Sequence, residues 1–189
     1  MTRLAASAMP PVITTAADVN ETIAVDLIGR EFGWEIEFDQ NVTRVSALMV
    51  NEEKIGLYQD AGQRDWWNKP QLPKNITMVT NVEDLKSHQF KGCLIISDRI
   101  VSDRDITEKS VVYRPKNLII GIGLHWTTSK QSIESAIKSV LDNHDLSWKS
   151  IGAVASVDRG AQVKGLQEFS RHHNIPIRLF DKCKLNEVK

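Results

Sequence analysis

Apolar positions along the chain recur at two spacings, and the switches between them mark alternating strands and helices. Near the amino terminus Val12-Ile13-Thr14-Thr15 is a short β-branched run that predicts a strand. Val19, Ile23, Leu27 and Ile28 then fall on one stripe at helical spacing. A D-x-x-E start at Asp18 and Glu21 and a stop at Gly33 bound that stripe and predict a helix over residues 19–32. Val42, Val45, Leu48 and Met49 share a face and predict a short helix over 41–50. Residues 54–59, 76–80, 93–97 and 110–114 read as strands, and 60–74, with Gly62, Trp66, Trp67, Pro70 and Pro73, as an irregular connection.

From residue 117 the alternation sharpens. Leu118-Ile-Ile-Gly-Ile122 is the unbroken apolar run that a sheet buried on both faces requires. Thr127, Thr128 and Ser129 offer caps for a helix reaching Asn143, with Ile133, Ala136, Ile137, Val140 and Leu141 as its apolar stripe. A strand over 152–157, a helix over 161–173, a strand over 175–180 and a short helix capped by Asp181 complete the chain. The fold class expected is α/β. A parallel β-α-β-α-β carboxy-terminal domain (116–189) follows a smaller α/β amino-terminal and middle region, divided at residue 40 (1–40 and 41–115).

Composition narrows the partners. With 189 residues and 41% hydrophobic positions the chain is long enough to bury a core without disulfides or metal. Twenty-four basic and 24 acidic residues cancel, which argues against nucleic acid or an anionic membrane as partner. Cys93 and Cys183 stand 90 positions apart in no metal or redox spacing, no window approaches a membrane span, and no signal peptide is visible, so the expected location is the cytoplasm.

Candidate chemistry gathers at two turns that precede helices. Gly121 and Gly123 leave a predicted strand and are followed by His125, Thr127 and Thr128, a cluster of donors at a helix start suited to carboxylate or phosphate. Capping by Thr128 and a tight glycine turn explain the same residues structurally. A dinucleotide fingerprint would need a third glycine where Trp126 stands. The earlier turn holds Thr14, Thr15, Asp18 and Asn20, and Asp26 lies eight positions after Asp18, so the two carboxylates share a helix face. Paired carboxylates do acid–base work, although helix acids are more often solvated. Ser156 and Asp158 follow a strand end, where open α/β sheets build sites. His172-His173 reads as a helix-end cap rather than a metal pair, and Trp66-Trp67 as a plug at the domain junction. No metal site is expected.

Two stretches resemble one family. Val12-ITTAADVNETIAVDLIGREFGW34 and Asn41-VTRVSALMVNEEKIGLY58 are similar to consecutive segments of CbiG-type cobalamin-biosynthesis proteins. Leu118-IIGIG123 and the unit over 153–180 resemble that family's carboxy-terminal domain. The resemblance implies opening of the δ-lactone of cobalt-precorrin-5A with release of acetaldehyde, on a polyanionic tetrapyrrole that carries its own cobalt, so no further cofactor. It also implies that Thr14, Thr15, Asp18, Asn20, Asp26, Gly121 and Gly123 match the family. Where the family usually has Cys and basic residues after the G-I-G turn, this chain has Leu124, His125 and Trp126.

On this reading Asp18 or Asp26 activates water, Thr14, Thr15 and Asn20 orient the lactone carbonyl, and the turn over 121–128 grips peripheral carboxylates, with Ser156 and Asp158 as further substrate-binding candidates. The alternative is a non-catalytic corrinoid-binding or carrier module; a nucleotide-binding regulatory domain rests on the G-x-G turn alone. The family's amino-terminal domain begins upstream of this chain's first residue. An apolar edge at Ile13, Ile23, Leu27 and Ile28 is therefore expected to be covered by a second copy or by a separate chain supplying the other half.

Overall fold

The computed structural model describes residues 22–160 and 163–183. A five-stranded sheet comes first in the chain. Its strands are β1 (Glu35–Glu37), β2 (Ile55–Gln59), β3 (Ile76–Val79), β4 (Gly92–Ile96) and β5 (Ser110–Arg114), in the spatial order β1-β5-β4-β2-β3. All neighbours are parallel except β1, which pairs antiparallel with β5. Strand β4 is buried throughout because both faces are covered. Leu94 and Ile96 face a core built with helix α1 (Val42–Val50) and residues 23–34. Cys93 and Ile95 face the opposite layer, where Leu85 on a 3-10 turn and Ile106 of helix α2 (Arg104–Thr107) close over them.

The helix expected over 19–32 does not form within the described residues. Thr22 to Ala24 are irregular, and two short 3-10 turns follow, Val25–Leu27 and Arg30–Phe32. Gly29 separates them at φ 68°, and a Cβ there would lie 2.0 Å from the Trp34 ring. The apolar residues nevertheless do what the stripe implied, since Ile23, Val25 and Ile28 are buried against Val45 and Met49. The expected uncovered edge is thereby corrected: Ile23 and Ile28 dock on this chain's own core, while Leu27 stays half exposed. Ile13 lies outside the described residues. Asp18, expected to share a helix face with Asp26, lies outside the described residues, and the backbone over 22–24 before Asp26 is not helical.

Tyr113 fastens this segment. Its hydroxyl donates to the Val25 carbonyl at 2.7 Å inside the core. Burial, with Asp26's charge second, pushes the phenol's pKa well up, so it stays a donor. Replacing Tyr113 with Phe strips a buried carbonyl of its donor and is expected to cost about 1–2 kcal/mol. Urea unfolding followed by circular dichroism checks this; an unchanged midpoint would remove the bond from the account.

The second sheet runs β6 (Leu118–Gly121), helix α3 (Lys130–Asn143), β7 (Ile151–Val157), helix α4 (Lys164–His173) and β8 (Ile177–Phe180), all parallel in the order β6-β7-β8. Both helices pack on one face of it. The other face is not covered as the apolar run implied: Ile119 is 54% and Phe180 42% exposed. On α3, Ile133, Ile137 and Leu141 are buried while Val140 faces outward. Asp181 accepts from the Cys183 amide as a cap would, and the remainder of the expected last helix lies outside the described residues.

A short strap joins the two sheets. The Ser147 amide donates to the Asp98 carbonyl and the Ile100 amide to the Asp145 carbonyl, each at 2.7 Å. Between them Arg99 and Leu146 form an antiparallel bridge. No helix among the described residues is long and apolar enough to cross a membrane.

Candidate functional site

The turn from β6 to α3 lies at the carboxyl end of the second sheet, where parallel strands leave a crevice. It is sealed from within. The His125 amide donates to Thr128 Oγ1 at 3.0 Å, and the Thr128 amide returns a bond to the His125 carbonyl at 3.1 Å. Ser129, not Thr128, caps α3, its hydroxyl accepting from the Ser132 amide. The Ser156 hydroxyl donates to the Ile122 carbonyl at 2.9 Å and keys the turn to β7. Asp158 Oδ1 accepts from the Gly160 amide and shapes the next loop. Thus Thr128, Ser156 and Asp158 hold backbone, while the His125 and Thr127 side chains lie at the surface.

The two glycines behave differently. Neither Gly121 nor Gly123 has a positive φ, and beyond its two chain neighbours nothing lies within 4 Å of the Cβ either would carry. Neither backbone conformation nor packing therefore requires glycine at these positions. Gly165 on α4 is the opposite case, since its Cβ would lie 2.1 Å from the Thr128 carbonyl oxygen. That missing Cβ lets α4 lie directly on the turn.

Beside the turn sits a cavity of about 120 Å³ whose walls include Leu124, Ser156, Arg159, Leu166, Gln167 and Leu179. Arg159 lies over the Trp126 ring, its guanidinium carbon 5.9 Å from the ring centroid, and the ring is half exposed. Sequence reasoning passed over Trp126 and Gln167 as site residues. They are far apart in the chain, and no spacing signal joins residues contributed by two loops and a helix.

The other expected residues lie elsewhere. Thr14, Thr15, Asp18 and Asn20 fall outside the described residues. Asp26 is exposed on its 3-10 turn in the first unit, its charge acting on Tyr113. Trp66 and Trp67 cover the core of that same unit rather than plugging the junction. Their ring nitrogens donate to Gln59 Oε1 and to the Gln71 carbonyl.

Residues 23–115 match the cobalamin biosynthesis central region, CbiG_mid, and residues 118–189 the cobalamin synthesis G C-terminus, CbiG_C. The whole chain aligns at 35% identity with 52% of a cobalt-precorrin-5A hydrolase of Priestia megaterium. The chain belongs to the CbiG family. The two CbiG segments meet at Lys116-Asn117, where the backbone passes from the first sheet to the second. A second CbiG relative, the cobalt-precorrin-5A hydrolase of Salmonella typhimurium, is 22% identical over 95% of this chain and 50% of its own length. A cobalamin biosynthesis protein G homologue of known structure, from Sulfolobus solfataricus, superposes with a TM-score of 0.34 at 20% identity, covering 95% of this chain and 47% of that one. The chain spans about half the length of the curated relatives it matches.

Proposed function

We propose that the chain acts in corrin-ring biosynthesis as the substrate-holding portion of a cobalt-precorrin-5A hydrolase, the whole enzyme opening the δ-lactone with release of acetaldehyde. The observation that carries this reading is the pair Gly121 and Gly123, whose lack of side chains serves nothing inside the protein and leaves the backbone of the turn open to a ligand. Trp126 and Arg159 stand at the same crevice as a flat ring and a cation, which suit a planar macrocycle bearing carboxylates. At about 120 Å³ the cavity suits one peripheral arm, with the macrocycle lying outside across the turn.

The second reading, a corrinoid-binding or carrier module without chemistry of its own, has a specific observation in its favour. Thr128, Ser156 and Asp158 are each committed to an internal bond, which suits a scaffold better than an acid–base pair. On the first reading the base would be Asp18 or Asp26.

Both readings expect binding here. Absorbance titration with cobalt-precorrin-5A is expected to give saturable binding that Gly123→Val weakens at least about tenfold, or 1.4 kcal/mol, without altering thermal unfolding. Equal binding by the variant would remove the turn from the site. Acetaldehyde release, assayed beside a full-length family enzyme, then separates the readings. Release by this chain, alone or with the rest of a family enzyme added in trans, supports the hydrolase, and binding without release in either case supports the module.

A further inference from the structure

We propose that Glu134, His172 and His173 form a binding site for a divalent first-row transition-metal ion, Zn²⁺ by preference, that clamps α3 to α4. One ligand atom from each of these three side chains lies within 4.8 Å of the other two. In a tetrahedral zinc site with bonds of about 2.0–2.1 Å, neighbouring ligand atoms stand a little over 3 Å apart, so small rotamer changes close the set.

Part of the set is already held. His173 is half buried, with its ring against Trp148 and Phe169 at centroid distances of 5.2 and 4.8 Å. Its Nε2 lies 2.6 Å from Glu134 Oε1 across the helix pair, and an ion bound there displaces to solvent the proton the two atoms share. His172 is exposed, yet its ring centroid is 4.7 Å from that of His173, so the 100° between adjacent helical residues does not part the two imidazoles. The helix ends at once on Asn174, in the left-handed conformation. The expected carbonyl-capping role for the pair is not what His173 does, since its ring nitrogen meets a carboxylate.

The donor set decides the ion. Two imidazole nitrogens and one carboxylate oxygen favour borderline ions of the zinc, nickel and copper group over Mg²⁺ or Ca²⁺, which take oxygen. Lys130 Nζ, 3.5 Å from Glu134 Oε1, is the competing cation. It sits one helical turn before Glu134 on a long side chain, so it can swing into solvent as the metal enters. The residues lie on two helices 39 positions apart, so the ion would cross-link the carboxy-terminal unit.

The test uses the whole chain and Zn²⁺ itself, titrated against a chromophoric chelator. One equivalent is expected to bind the wild type and raise its thermal midpoint. His172→Ala and Glu134→Gln are each expected to weaken binding at least about tenfold and to abolish the thermal shift. His172 is exposed, so its variant keeps the metal-free midpoint; His173→Ala would disturb packing and is not used. Cys183→Ser controls for the exposed thiol and is expected to bind as the wild type does. Absence of zinc uptake, uptake undiminished in the His172 variant, or uptake lost with Cys183 would each overturn the proposal.

Discussion

Replacing Arg114 with alanine is expected to destabilise the protein by about 3–5 kcal/mol and to lower its thermal midpoint by roughly 10 °C. Arg114 is 2% exposed at the end of β5, and its guanidinium makes three charge-assisted bonds. Nε donates to Glu37 on β1, and one terminal nitrogen donates to the carbonyls of Ser97 and Arg99 at 2.9 and 2.6 Å. Removing it strands a carboxylate and two carbonyls and leaves a void, so the loss exceeds that of a surface ion pair. Arg114→Lys is expected to recover only part of the stability, because one ammonium cannot reproduce the planar fork. The two carbonyls flank Asp98, which holds Ser147 of the second unit. Cleavage by protease within the strap over 97–100 should therefore rise in Arg114→Ala. A variant that melts with the wild type would show that these bonds contribute nothing net to stability.

Gly165→Val is expected to damage the turn between β6 and α3 from behind. The Cβ would meet the Thr128 carbonyl oxygen at 2.1 Å and the Lys130 amide nitrogen at 2.9 Å, both backbone atoms that cannot rotate away. Overpacking of this kind costs about 1–3 kcal/mol. It outweighs the gain of about 0.5 kcal/mol in helix propensity on leaving glycine. Relief requires α4 to slide or the turn to move, and the turn carries Gly123, His125 and Trp126. Corrinoid titration should fall at least about tenfold even at temperatures where the variant is fully folded. A folded variant with unimpaired binding would place the ligand away from the turn.

The contrast between the two units shows what could be read from the sequence. Strands β2, β4, β5, β6 and β7 and helices α1 and α3 declare themselves by their apolar pattern, and α3 by its cap as well, because burial acts on residues close in the chain there. Strand β1 escaped because Glu35-Ile36-Glu37 is a three-residue edge strand with two charged positions, and Phe38 after it turns left-handed. Residues 23–28 misled in the other direction. Their apolar spacing fits a helix, yet an irregular segment lying on a core can bury the same side chains, and Gly29 with its close Trp34 ring breaks the run.

The site was legible to the same degree. The glycine turn announced itself locally, whereas the meeting of Trp126 with Arg159, and of Glu134 with His173, depends on how β7 and α4 are set beside the first strand. Thr128 and Ser129 are equally good caps on paper. The reciprocal bonds with His125 take Thr128 out of that competition.

The bond from Tyr113 to Val25 spans 88 positions of the chain. On the ribosome, at about 5–20 residues per second, Val25 therefore waits roughly 5–20 s before its donor is even synthesised. Throughout that interval Ile23, Val25, Ile28 and Trp34 lack part of the core they finally join, since Val111 and Tyr113 of β5 belong to it. Residues 23–34 are thus made well before the strand that completes their core, and for those seconds their apolar side chains stay partly uncovered.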